Sequence, residues 1–148
     1  ARWTDATGHS PLHLASMSTK KRGGAPCVAM LFAVAPERAR LCNSDGKTPL
    51  HSAFEHGAPA NSIRMLVEAA PEVVCMQEKG TRYTPLHRMV YHKRWEGKTV
   101  ADICKKLSAA ALMRDSRGRS PLQLARVQGA PVECLAALAA STRERRGP

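Results

Sequence analysis

The residues able to ligate a metal or attack a substrate are 6 histidines and 5 cysteines. Cys27, Cys42, Cys75, Cys104 and Cys134 stand singly, with no Cys-x-x-Cys pair. Zinc and redox motifs need close pairs, because two thiols must share one metal or one exchange reaction. Isolated cysteines in apolar stretches read instead as small buried hydrophobes, and an unpaired odd number reads as a reducing, intracellular compartment. His56 and His92 are 36 residues apart, but two imidazoles without a third ligand make a poor metal site. The acids are scattered singly, so no carboxylate pair is set up for acid–base work. No Gly-x-Gly-x-x-Gly, Gly-x-x-x-x-Gly-Lys-Ser/Thr or His-Glu-x-x-His occurs, and these are the patterns that cradle phosphates or hold zinc. A Cys–His nucleophile has no identifiable third group to orient it. The expectation is a protein that is not an enzyme and carries no cofactor or metal.

Charge is the remaining chemistry. Lys and Arg number 23 against 12 Asp and Glu, a net charge of +11. Residues 1–74 carry 8 basic and 6 acidic side chains, whereas residues 75–148 carry 15 and 6. The densest stretch contains Arg82, Arg88, Lys93, Arg94 and Lys98 against the single acid Glu96, with Tyr83, Tyr91 and Trp95 among them. Tyr, Trp and Arg dominate binding hot spots. An acidic protein face, a nucleic-acid backbone and anionic headgroups all complement such a patch. The plainer reading is a solvated face, with Trp95 packing its own loop.

The elements that must position these residues follow from a repeat. Ser10-Pro11-Leu12-His13-Leu14-Ala15, Thr48-Pro49-Leu50-His51-Ser52-Ala53, Thr84-Pro85-Leu86-His87-Arg88-Met89 and Ser120-Pro121-Leu122-Gln123-Leu124-Ala125 align, their prolines 38, 36 and 36 residues apart. Ser or Thr caps a helix, proline suits its first position, and leucine enters the core. Ahead of three copies, Asp5 to Gly8, Asn43 to Gly46 and Asp115 to Gly118 spell a tight turn. The third copy has Lys79-Gly80-Thr81-Arg82-Tyr83, with Arg82 where glycine is expected, so that turn is reshaped. Second helices follow with apolar stripes at i, i+3, i+4: Val28, Leu31, Phe32; Ile63, Leu66, Val67; Val100, Ile103, Cys104; and Leu135, Leu138, Ala139. Gly-Ala-Pro precedes three of them, marking a break and a helix start.

Four such hexapeptides in phase resemble the ankyrin repeat, whose signature is Thr-Pro-Leu-His-x-Ala. The long period and the Ala-Pro-Glu that ends two copies are similar to divergent ankyrin-like repeats of algae and protists. The resemblance implies an all-α, ankyrin-like helical solenoid of four helix-turn-helix repeats, approximately 5–42, 43–78, 79–114 and 115–148, in one domain over 1–148. It implies that His13, His51 and His87 are structural, bonding backbone groups of the neighbouring turn. It also implies a protein partner held on a concave side by turn tips and the ends of first helices. Those positions are Lys47, Glu55 and His56; Lys79, Tyr91 and His92; and Arg117, Arg119, Val127 and Gln128. With the basic stretch, the candidate contact residues are Lys47, Lys79, Arg82, Tyr91, His92, Arg94, Trp95, Arg117 and Arg119. The expected role is a non-catalytic protein-interaction scaffold or accessory subunit whose partner has an acidic surface. Contact with RNA or another polyanion in a ribonucleoprotein is the alternative.

No apolar run approaches the ~20 residues of a membrane span, and no secretory signal pattern occurs. Organelle, cytosol and nucleus all fit; Lys20-Lys21-Arg22 is too short for a nuclear address. Ala1-Arg2-Trp3 runs straight into the first repeat, so Trp3, a partner or further chain is expected over that end.

Overall fold

A computed structural model describes residues 3–18, 24–94 and 100–146. Among these, the chain forms eight α-helices, three short 3-10 helices and no strand. The α-helices are α1 (Pro11–Met17), α2 (Gly24–Val34), α3 (Pro49–His56), α4 (Ala60–Ala69), α5 (Pro85–Tyr91), α6 (Val100–Lys106), α7 (Pro121–Val127) and α8 (Val132–Arg146). Each hexapeptide opens a helix with Ser or Thr as N-cap and proline at its start. The cap is reciprocal: the cap hydroxyl meets the third helical residue's amide, and that residue's side chain meets the cap amide. Glu or Gln usually fills the reaching-back role; here three histidines and Gln123 do.

Beyond the cap the histidine makes a second bond. The Ser10 amide donates to His13 Nδ1 at 3.1 Å, and His13 Nε2 donates to the Lys47 carbonyl at 2.9 Å. His51 takes the Thr48 amide (3.1 Å) and donates to Tyr83 O (3.0 Å). His87 takes the Thr84 amide (3.3 Å) and donates to Arg119 O (3.0 Å). An acceptor at Nδ1 and a donor at Nε2 define the neutral Nε2–H tautomer. Each imidazole therefore joins its own helix start to the turn ahead of the next hexapeptide.

Those turns also bond to one another. The Ser44 amide donates to Thr7 O (3.1 Å), Lys79 to Asp45 O (2.9 Å) and Ser116 to Thr81 O (2.8 Å). Asp5, Asn43 and Asp115 each accept two backbone amides of their own turn through Oδ1. Gly46 needs to be glycine on two counts: its φ is +76°, and a Cβ would lie 3.1 Å from the Lys79 amide. α1 packs on α3, α3 on α5 and α5 on α7, while α2 packs on α4 and α6 on α8. The core lies between the rows, with Leu12, Leu50, Phe54, Leu66, Leu86, Met89, Leu107 and Leu138 fully buried.

Several expectations change. The Ala-Pro-Glu segments begin 3-10 helices, Pro36–Arg40 and Pro71–Cys75, because proline cannot continue an α-helix but fits the first turn of a new one. Arg40 and Glu72 pair across these two turns. Pro26 falls inside α2 rather than before it, whereas Pro59 and Pro131 precede their helices. Only Cys104 and Cys134 are buried; Cys75 is half-buried, and Cys27 and Cys42 are exposed. Burial pushes the Cys104 thiol up to about 12. Trp3 is exposed beside Glu37, Arg38 and Leu41 and does not cover the first helix pair. The side chain of Val100, residues 20–22 and residues 95–99 lie outside the description.

Burial holds the His51 imidazole down to about 4 and also lowers His13 and His87. Between about 4 and the usual 6.5 the unfolded chain binds a proton that folded His51 refuses, so stability is full above this window and falls as pH drops through it. Unfolding free energies from urea denaturation at pH 7.5 and 4.5 are expected to differ by about 3 kcal/mol from His51 alone. His51→Gln, which keeps the acceptor for Thr48 as Gln123 does for Ser120 at 2.9 Å, lowers the midpoint at pH 7.5 and narrows that difference. An unchanged difference would assign the pH dependence elsewhere.

Candidate functional site

The candidate surface is built from the turns ahead of α3, α5 and α7 and from the ends of α3 and α5. The turn before α5 departs from the others by one residue. Elsewhere the closing backbone bond joins residues four apart, as in Asn43 N to Lys47 O (2.9 Å) and Asp115 N to Arg119 O (2.9 Å); here Glu78 N reaches Tyr83 O, five apart, at 3.0 Å. Glu78, not Lys79, thus stands where Asp5, Asn43 and Asp115 stand. Gly80 and Arg82 both take positive φ, 76° and 56°. The reshaped turn expected from the sequence is an insertion that keeps Arg82 in the left-handed conformation glycine adopts in the other three.

That insertion seats a buried ion pair. Arg88 Nε and an Arg88 terminal nitrogen donate to Glu78 at 2.9 and 2.6 Å, with side chains only 12% and 2% exposed. The other terminal nitrogen donates to His92 Nε2 at 3.3 Å. The guanidinium lies 5.5 Å from the Tyr83 ring centre and 6.0 Å from that of Tyr91, a cation–π arrangement. Tyr83 is buried and stacks on His87; Tyr91 is 45% exposed. Burial, then the Arg88 charge, lowers the His92 pKa. Arg88 and Tyr83 are therefore internal parts of the fold, not the docking groups that the basic stretch suggested.

The other candidates divide. Lys47 is half-buried and bonds Glu55 at 2.9 Å; although burial works against the charged Glu55, Lys47 keeps its pKa below the ordinary value. Arg119 is half-buried on Asp115 at 2.9 Å. Burial opposes the charge of Asp115, and bonds from Arg119 outweigh it and hold the carboxyl low. Lys79 is exposed, its ammonium on Ser44 O at 3.1 Å. Arg82 is exposed and touches Gln77 Oε1 at 3.2 Å. Arg94 is exposed, lies over Gly57 and reaches Glu55 O at 3.4 Å. Arg117 is exposed at the last turn tip. Among the described residues Lys79, Arg82, Arg94 and Arg117 form no ion pair, whereas Lys47, Arg88 and Arg119 do. Trp95 lies outside the described residues. Val127 is exposed and Gln128 half-buried.

Sequence reasoning missed Glu78, Gln77 and the conformation of Lys93. Gln77 Nε2 donates to both Arg82 O (2.9 Å) and Arg114 O (2.6 Å), tying the third turn to the chain entering the fourth. Lys93 has φ +55° where the equivalent ends of α3 and α7 have Gly57 and Gly129 at +71°. The equivalence is set by matching backbone bonds, Arg94 N to Met89 O, Ala58 N to Ala53 O and Ala130 N to Ala125 O. A glycine present in two copies and replaced in the third was the available signal.

His56 Nδ1 donates to Ser52 O (3.0 Å) and His92 accepts from Arg88, so each is engaged by its own helix. Among the described residues no group of three His, Cys, Asp or Glu is placed to hold a metal ion, and no helix is long and apolar enough to cross a membrane. No protein-family model matches the chain, and no curated protein is significantly similar to it.

Glu78→Gln leaves Arg88 largely enclosed without its counter-charge and is expected to cost about 3 kcal/mol, since breaking one side of a buried pair strands the other. Adding Arg88→Gln returns part of that loss. Urea denaturation of the two single variants and the double variant measures it; a full additive loss would mean the two side chains act independently.

Proposed function

We propose that the chain is an ankyrin-like solenoid of four helix-turn-helix repeats that binds a protein partner with an acidic surface, without catalysis. Support for the repeat reading comes from the four capped helix starts, the histidine bonds to the following turn and the turn-to-turn amide bonds. Function is a separate question, because folds of this kind carry many.

One observation carries the binding reading. Arg82 and Lys93 have positive φ, both are exposed cations, and both belong to the third copy at sites where other copies have glycine. A left-handed conformation costs a non-glycine residue about 1–2 kcal/mol. Keeping two charged residues under that strain brings no internal ion pair among the described residues, whereas it adds charge beside Lys79, Arg94 and Arg117. Strain of this kind gathers at functional positions. Partner contact falls on Lys79, Arg82, Tyr91, Lys93, Arg94 and Arg117, and Trp95, next in sequence, is kept as a candidate. Lys47, His92 and Arg119 are instead engaged within the chain, by Glu55, Arg88 and Asp115. Tyr91 is the one exposed aromatic ring in this group among the described residues, a small platform for stacking bases, which favours protein over single-stranded RNA.

Arg82→Gly with Lys93→Gly is expected to leave stability unchanged or raise it slightly, while partner binding falls at least tenfold. Affinity purification of the wild-type and doubly substituted chains, followed by mass spectrometry and titration of the partner so found, measures both, with thermal melts as control. A captured partner bound equally by both chains would defeat the proposal. Steeply salt-dependent binding to single-stranded RNA, with no protein captured, would establish the RNA alternative instead.

A further inference from the structure

Arginines crowd the junction between the turn before α5 and the turn before α7. The Ser116 amide donates to Thr81 O at 2.8 Å, which sets the two tips edge to edge. One side-chain amide then bridges them: Gln77 Nε2 donates to Arg82 O at 2.9 Å and to Arg114 O at 2.6 Å. Two carbonyl oxygens that share one nitrogen lie within about 6 Å of each other. Arg117 follows Ser116 at the tip. Arg82, Arg114 and Arg117 are all exposed, and among the described residues none forms an ion pair.

The carboxylates nearest in the chain are already engaged. Glu78 holds Arg88 and accepts the Thr81 hydroxyl, and Asp115 holds Arg119 and two backbone amides. The Arg82 guanidinium meets a neutral oxygen, Gln77 Oε1 at 3.2 Å. Arg114 meets two, Gly118 O at 2.7 Å and Gln123 Oε1 at 3.3 Å. The exposed Ser116 hydroxyl bonds no other described residue.

The preceding junction has a different chemistry. There the Lys79 amide bonds Asp45 O at 2.9 Å, so a lysine stands beside an exposed carboxylate. An ammonium is a point charge, whereas a guanidinium is a planar fork that meets two oxygens at once. A carboxylate occupies one such fork. A phosphoryl group carries about −1.5 to −2 charge and three acceptor oxygens, enough for forks from two arginines. A nucleic-acid backbone offers phosphates as a continuous row, and along the tips that row would run onto Asp45. A single phosphate would not.

Resting on the reading that the partner is a protein, we propose that this junction seats a phosphoserine or phosphothreonine of that partner. Arg82 and Arg117 fork its oxygens, Arg114 adds charge from the flank, and the Ser116 hydroxyl donates to it. Gln77 is a positioning residue that holds Arg82 against the fourth turn.

The probe is the peptide acetyl-Gly-Gly-phosphoSer-Gly-Gly-amide, titrated into the isotope-labelled full chain at pH 7.5 and followed by backbone amide shifts. Shifts are expected in residues 77–83 and 114–119, with a dissociation constant of about 1 mM. The peptide with glutamate in place of phosphoserine binds at least tenfold more weakly, and the one with serine does not bind. Arg82→Lys with Arg117→Lys keeps the charge and the circular dichroism but weakens phosphopeptide binding about fivefold or more, because the forks are gone. No shift up to about 10 mM peptide, equal binding of the phosphoserine and glutamate peptides, shifts confined to other parts of the chain, or full affinity in the double-lysine variant would each overturn the proposal. Tighter binding of oligouridylate, with shifts extending over Ser44 and Asp45, would give the junction to RNA instead. A captured protein partner that binds as tightly after phosphatase treatment would overturn the phosphate site and leave the protein-partner reading standing.

Discussion

The arrangement depends on a neutral imidazole bonded on both sides. At each of three helix starts a buried histidine accepts the cap residue's amide and donates to a carbonyl 32 to 34 residues further along. Only histidine among the side chains offers a rigid ring with an acceptor at one edge and a donor at the other. Serine or threonine precedes it to close the cap, and proline fits the position after the cap because that first position has no use for an amide hydrogen. Burial keeps the ring uncharged, which preserves the acceptor at Nδ1. Short helices of seven or eight residues, marginal on their own, are held at a defined height relative to the next turn.

With that register set, several of the described acidic residues are engaged by groups of the chain itself. Asp5 and Asp115 organise turns, Glu78 holds Arg88, Glu55 holds Lys47, and Glu72 and Glu68 meet Arg40 and Lys106. Among the described residues the remaining cations are mostly exposed, and most of these lie in the second half of the chain. The third copy concentrates the departures: a lengthened turn, a buried ion pair between two tyrosines, and two cations in the glycine conformation. The ion pair and the ring stacking there stiffen the ground under Tyr91 and Arg82. A rigid base reduces the side-chain ordering that association otherwise requires.

Much of the local structure was legible because it rests on contacts within a few residues. The caps at Ser10, Thr48, Thr84 and Ser120, and the turns at Asp5, Asn43 and Asp115, follow from bonds spanning two to four positions. The candidate surface was legible only in outline. Arg82 to Lys98 read as one basic, aromatic stretch, yet Arg88 is neutralised by Glu78 ten residues earlier and Tyr83 is buried against His87. Lys47 and Arg119 look as basic in the chain as Arg82 and Arg117, and differ in having a carboxylate within reach.

The sequence by itself determined where the four capped helices begin, where the chain turns and that positive charge accumulates toward the C-terminal half. These depend on residue type and short spacing, which a linear chain displays. Tertiary structure decided which charges are free, which cysteines are hidden, and that one turn has a residue more than its fellows. It also decided that Met30 and Val34 stand in water where Met65 and Ala69 are covered. Charge pairing and burial depend on distance in space, and two residues of the same type separate only when the fold gives one of them a neighbour.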